Sequence, residues 1–126
     1  ALEIGAHASF ETGARLPERV DAVMETVGQA TWRHSVRSLR PGGRIVVSGA
    51  TTGSDPSADL TQIFFLQREV VGSTMGTRGE MQRLIRFCDV AGIRPLVDSV
   101  MPLADAREGF ARMAEGDLFG KVVFTT

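Results

Sequence analysis

Leu39-Arg40-Pro41-Gly42-Gly43-Arg44-Ile45-Val46-Val47-Ser48-Gly49-Ala50 is the stretch that decides the fold. Its first residues end a helix, Pro-Gly-Gly turns the chain, and three consecutive β-branched residues, Ile45 to Val47, make a strand closing on a glycine. A continuous apolar run between turn signals belongs to a strand covered on both faces, which places Arg44 to Ser48 at the centre of a parallel sheet. Glycine at the carboxyl tip of such a strand lets backbone come close to other backbone or to a ligand.

Outward from this strand, helical and extended patterns alternate, the order expected of an α/β fold with a mostly parallel sheet. Upstream, Asp21 to Gly28 reads as a strand ending in glycine, and His7 to Phe10 as a short strand before it. Between Ala30 and Leu39 the residues Trp32, Val36 and Leu39 recur at i, i+4 and i+7, predicting a helix that packs this stripe inward and stops at Pro41-Gly42-Gly43. Arg33, His34 and Arg37 fall off the stripe. Ala1 to Ala6 reads as the last turn of a helix ended by Gly5, so the chain is expected to begin inside an element.

Downstream, Ala58 to Gln67 predicts a helix and Glu69 to Thr74 a strand. Met81, Leu84, Ile85 and Cys88 then give a helix with one apolar face, running up to Gly92. A further helix carries Ala106, Phe110, Met113 and Ala114 and stops at Gly116, between strands at Leu96 to Met101 and Lys121 to Phe124.

Composition bounds the function. The 126 residues are 43% hydrophobic and 23% charged, enough for one globular core. Fourteen Lys and Arg against 15 Asp and Glu leave a net charge of -1 with no basic stripe, which argues against nucleic acid as a partner. No apolar run approaches the roughly 20 residues of a membrane span, and no signal-peptide pattern stands at Ala1. A single cysteine forms no internal disulfide, so a cytoplasmic protein is expected. Cys88 on an apolar helix face reads as core, and with the distant His7 and His34 it makes no zinc site. His34 reads as a helix-surface residue, and no carboxylates are paired for acid-base work.

Ligands of open parallel sheets bind beyond the carboxyl ends of the strands. Three successive strands end in small residues here: Val27-Gly28, Ser48-Gly49-Ala50, and Gly72-Ser73-Thr74-Met75-Gly76-Thr77-Arg78. Each alone reads as an ordinary turn; in succession they line one cleft.

Val23 to Ala50, Gly72 to Arg78, Ile93-Arg94-Pro95-Leu96-Val97-Asp98, Pro102-Leu103, Gly109-Phe110 and Gly120-Lys121-Val122-Val123 together resemble the carboxyl-terminal part of medium-chain dehydrogenase/reductases. This is the superfamily of zinc-type alcohol dehydrogenases and quinone oxidoreductases, and the similarity covers nearly the whole chain. It implies a Rossmann-like sheet lacking its first two βα elements. Residues 1–92 would be the later part of the dinucleotide-binding domain, and 93–126 a terminal segment returning towards the catalytic domain. The Gly-x-Gly-x-x-Gly loop, the substrate lobe and any zinc ligands of relatives would precede Ala1. In the strand order 3-2-1-4-5-6 the sheet would be cut through its middle, leaving Asp21 to Val27 at an edge.

The implied cofactor is a nicotinamide dinucleotide, NADP or NAD, with NADP favoured. By position, Val27 and Gly28 would flank its adenosine half. Ser48, Ser73 and Met75 would offer backbone groups to the carboxamide, with Gly49 and Ala50 under the nicotinamide end. Lys121 would lie near the phosphates; the charge alone equally reads as a solvated strand-end lysine. Arg78 reads as the start of a helix. No residue here takes a catalytic role, so the isolated chain is expected to be inactive. The parent would be an oxidoreductase acting on an alcohol, carbonyl, quinone or enone, and a homodimer joined at Glu69 to Thr74. Two other readings stand beside this one: a class I methyltransferase, which also places Pro-Gly-Gly before an apolar strand, and a non-catalytic nucleotide-binding or interaction domain.

Overall fold

A computed structural model describes residues 1–116 and 118–126. Among the described residues five strands and four α-helices alternate: β1 Val20–Glu25, α1 Trp32–Ser38, β2 Leu39–Val47, α2 Leu60–Phe64, β3 Glu69–Gly72, α3 Arg78–Val90, β4 Val97–Pro102, α4 Ala106–Glu115 and β5 Lys121–Thr125. The chain divides into two compact units, Ala1–Met75 and Gly76–Thr126.

In the first unit β1, β2 and β3 form a parallel sheet in that order, so the Ile-Val-Val run is its central strand, as expected. Trp32, Val36 and Leu39 are all buried and meet Ile45 from β2, with Val20, Val23 and Val47 packed around them. The helical stripe read from the sequence is therefore the core of this unit. Pro41-Gly42-Gly43 does not stop the helix as predicted; the chain is already extended at Leu39. Arg40 precedes a proline, which disfavours the helical conformation. Residues 40–43 instead form a bulge in β2, because the register jumps from Val20 opposite Leu39 to Ala22 opposite Arg44. Gly42 takes a φ of +74° there, and a Cβ on Gly43 would stand 3.0 Å from the Asp21 carbonyl oxygen.

His7 to Phe10 is not a strand. A strand needs a ladder partner, and among the described residues β1 pairs only with β2. The opening turn is a 3-10 turn at Leu2–Ile4 closed by Gly5 at φ +101°. The helix expected over Ala58 to Gln67 shrinks to Leu60–Phe64, since Asp59 (φ 41°) and Gln67 (φ 52°) take left-handed backbone on either side.

The second unit pairs β4 and β5 in parallel with α4 as the connection between them. Gly109 is buried, and a Cβ there would come within 2.6 Å of the Phe124 ring and 2.8 Å of the Met101 sulfur, so glycine is what lets α4 lie on the strands. Phe110 and Phe124 sit with ring centroids 5.7 Å apart. Asp98 holds this unit together: it pairs with Arg112 at 2.9 Å and accepts the Phe119 N–H at 3.2 Å. The predicted apolar face of α3 is present but uncovered. Met81, Leu84 and Ile85 are more than half exposed, and Cys88 is half-buried rather than core.

Candidate functional site

The ladder of the first unit brings its strand tips side by side. Glu25 stands opposite Val47, and Val47 opposite Gly72, so the residues that follow them emerge together at one edge of the sheet. Ser48 N–H still donates to Glu25 C=O at 2.9 Å, and Ser73 N–H to Val47 C=O at 2.9 Å. Beyond those bonds the ladder ends. Ser48 C=O, Gly49 N–H, Ala50 N–H, Ser73 C=O and Met75 N–H enter no hydrogen bond among the described residues. The tips of β2 and β3 thus present both donors and acceptors that a planar amide could use.

The tip of β1 is wired differently. Its end is organised by Glu25, which the sequence reading passed over. Although only 2% exposed, the Glu25 carboxylate accepts four hydrogen bonds. Val27 N–H (2.8 Å), Gly28 N–H (2.9 Å) and the Thr31 hydroxyl (2.8 Å) converge on Oε1, and the Ser35 hydroxyl (2.5 Å) reaches Oε2. Burial pushes this carboxyl up, but the bonds from Ser35, Gly28, Thr31 and Val27 outweigh it and hold it below the usual carboxylate range. One signal was present in the sequence: Thr31 and Ser35 recur at i, i+4 just after a strand-terminal carboxylate.

A strap from the β2 tip fixes the same corner. Thr52 N–H and the Thr52 hydroxyl both donate to Val27 C=O at 2.8 Å, and the hydroxyl accepts Ala30 N–H at 3.0 Å. Gly53 C=O accepts Gln29 N–H at 3.0 Å. The glycines follow from this close approach. Gly28 has φ +92°, and a Cβ on it would lie 2.5 Å from Gly53 O; one on Gly49 would lie 2.8 Å from Thr26 O. Both are thus required by backbone meeting backbone at the tips. A recess of about 310 Å³ opens beside Val27, walled by Met24 to Val27 on one side and Phe10 to Gly13 on the other.

Six of the eight anticipated site residues lie directly after Glu25, Val47 or Gly72: Val27, Gly28, Ser48, Gly49, Ala50 and Ser73. Met75, 94% exposed, ends the first unit two residues after Ser73. Lys121 belongs to the second unit, as the first residue of β5, with its N–H donated to Leu96 C=O at 2.9 Å. Arg78 is the first residue of α3. His34 is half-buried rather than on a helix surface, its Nε2 2.8 Å from Ala14 C=O.

The chain as a whole is similar to known proteins. A family model described as zinc-binding dehydrogenase matches residues 5–124. Acryloyl-coenzyme A reductase of Metallosphaera sedula is 28% identical over 117 residues, which are 86% of this chain and 33% of that protein. The structure of a thermostable alcohol dehydrogenase from Pyrobaculum aerophilum superposes with a TM-score of 0.77 at 31% identity, covering 86% of this chain and 33% of its own. A 2-octenoyl-CoA carboxylase reductase in complex with NADP and 2-octenoyl-CoA gives a TM-score of 0.75 at 29% identity, over 81% of this chain and 23% of that one. The chain therefore spans about a third of the length of the curated relatives it matches.

Proposed function

Because the chain belongs to the zinc-binding dehydrogenase family, we propose that it forms the later part of the dinucleotide-binding domain of an NAD(P)-dependent oxidoreductase. Residues 1–92 serve that domain, and residues 93–126 lead back towards a catalytic domain. The parent enzyme moves a hydride between nicotinamide and an alcohol, carbonyl, quinone or enone, and assembles as a homodimer through β3. One observation carries the reading: the tips of β2 and β3 leave Ser48 C=O, Gly49 N–H, Ala50 N–H, Ser73 C=O and Met75 N–H unengaged among the described residues.

A carboxamide has one acceptor and two donors, so this set fits the nicotinamide end of NADP or NAD, with NADP favoured. In the proposal the N–H groups donate to the carboxamide oxygen and Ser48 and Ser73 C=O accept from its nitrogen, fixing which face of the ring meets substrate. Val27 and Gly28 flank the adenosine half, beside the recess of about 310 Å³. Lys121 supplies a cation for the phosphates. The nicotinamide carries the hydride when bound, and these residues orient it and exclude water from one side. Among the described residues no three His, Cys, Asp or Glu side chains are placed to hold a metal ion.

Titrating the ¹⁵N-labelled chain with NADP⁺ and with NAD⁺ tests this. Amide shifts should centre on Val27, Gly28, Gly49, Ala50 and Met75 and saturate only at millimolar ligand, with no turnover. Shifts centred elsewhere, or none at 10 mM, a roughly 2.7 kcal/mol limit on the 1 M scale, would reject the assignment.

A further inference from the structure

Net charge close to zero conceals a local concentration of cations. The irregular segment 13–19 and the outer face of α1 border an open cavity of about 720 Å³, within the range of small-molecule sites. Arg15 and Arg19 enter it from the segment, and Arg33 and Arg37 from α1, where the i, i+4 spacing puts both on one face. None of the four is in an ion pair among the described residues, whereas Arg40, Arg44 and Arg112 each hold a carboxylate within 2.9 Å. Glu18 is the only carboxylate in the lining and is also unpaired among the described residues.

Four guanidinium groups bordering one cavity form a cluster of like charge that an anion with several charged oxygens would neutralise. Arg68, 5% exposed and without a carboxylate partner among the described residues, is held below the usual arginine range by burial and then by the charge of Arg19. The cavity is also held open by a tie: with a carbonyl able only to accept, His34 Nε2–H donates to Ala14 C=O at 2.8 Å and fastens the segment to α1. Leu16, Pro17 and Ala30 add apolar wall between the charges.

We propose that this cavity binds a small organic phosphate bearing at least two anionic groups, gripped by Arg15, Arg19, Arg33 and Arg37. The planar guanidinium fork matches phosphate oxygens in pairs, and arginines on opposite walls can grip two groups of one ligand. Its walls come from residues 13–38 and lie apart from the tips of β2 and β3, while Gly13, Leu16 and His34 also line the smaller recess beside Val27, so the two hollows adjoin.

Inorganic pyrophosphate is the probe, titrated into the ¹⁵N-labelled chain at constant ionic strength. Saturable shifts of the Arg15, Arg19, Arg33 and Arg37 side-chain Nε–H signals are expected, with pyrophosphate bound at least tenfold more tightly than sulfate. Binding should weaken at least tenfold in the double variant R33Q/R37Q and again in R15Q/R19Q. These exposed positions leave the core untouched, and unchanged thermal unfolding confirms each variant is folded. Non-saturable shifts, an adventitious response equal for sulfate, retention of binding in both variants, or shifts confined to Gly49 and Met75 would overturn the proposal.

Discussion

Glu25 shows how much one residue can settle. A carboxylate 2% exposed is costly to bury, and here four donors offset that cost while fixing the turn at Val27-Gly28 and the first turn of α1. Because its folded pKa lies below its unfolded value, its contribution is fully present above the unfolded pKa and is lost as pH falls through the folded one. Glu25→Gln keeps the shape and removes the charge, so urea unfolding at pH 7 should show a loss of about 2 kcal/mol. The gap between the two proteins should narrow as the medium is acidified; an equal gap at both pH values would mean the carboxyl is not ionised in the fold. The sequence showed Glu25, Thr31 and Ser35 as separate polar residues. Only the return of α1 over the end of β1 brings them to one point.

Elements divide into those made by local signals and those made by partners. The α3 helix is of the first kind. Thr77 accepts the Glu80 N–H and Glu80 accepts the Thr77 N–H at 2.6 Å, a reciprocal cap at its start. No residue of α3 is buried, so the cap matters more than packing there. Thr77→Ala should lower helicity in residues 78–90 by about 1 kcal/mol of local stability, read as faster amide exchange confined to that helix. Exchange unchanged across α3 would show that a cover on its apolar face holds it instead. His7 to Phe10 is of the second kind: its pattern allowed a strand, but no ladder partner is present among the described residues. Pro41-Gly42-Gly43 was legible as a break. That it bulges inside β2 rather than ending α1 depends on Asp21 and Leu66, whose carbonyls pack against Gly43 and accept from Gly42 N–H, and both are distant in sequence.

For the whole molecule, the exposed edges matter most. All four residues of β3 are exposed, and Ser73 N–H points back to Val47, so ladder alternation turns the Val70 and Gly72 N–H groups away from β2. An apolar edge with free donors invites pairing with a second strand. The full-length protein carrying this chain is expected to be a dimer by light scattering, and Val70→Pro, which removes only an outward N–H, should make it a monomer. A monomeric parent, or a Val70→Pro protein that stays dimeric, would place the contact elsewhere.

The sequence by itself determined the α/β alternation, the central place of Ile45 to Val47, the Trp32, Val36 and Leu39 core stripe and the family resemblance, because periodicity and turn residues act over a few positions. Which backbone groups remain free at the strand tips, the buried carboxylate beneath Gly28 and the gathering of four arginines around one cavity were decided by tertiary structure. Those features depend on distances between residues far apart in sequence, such as Ser73 and Val47, and no local pattern encodes a distance.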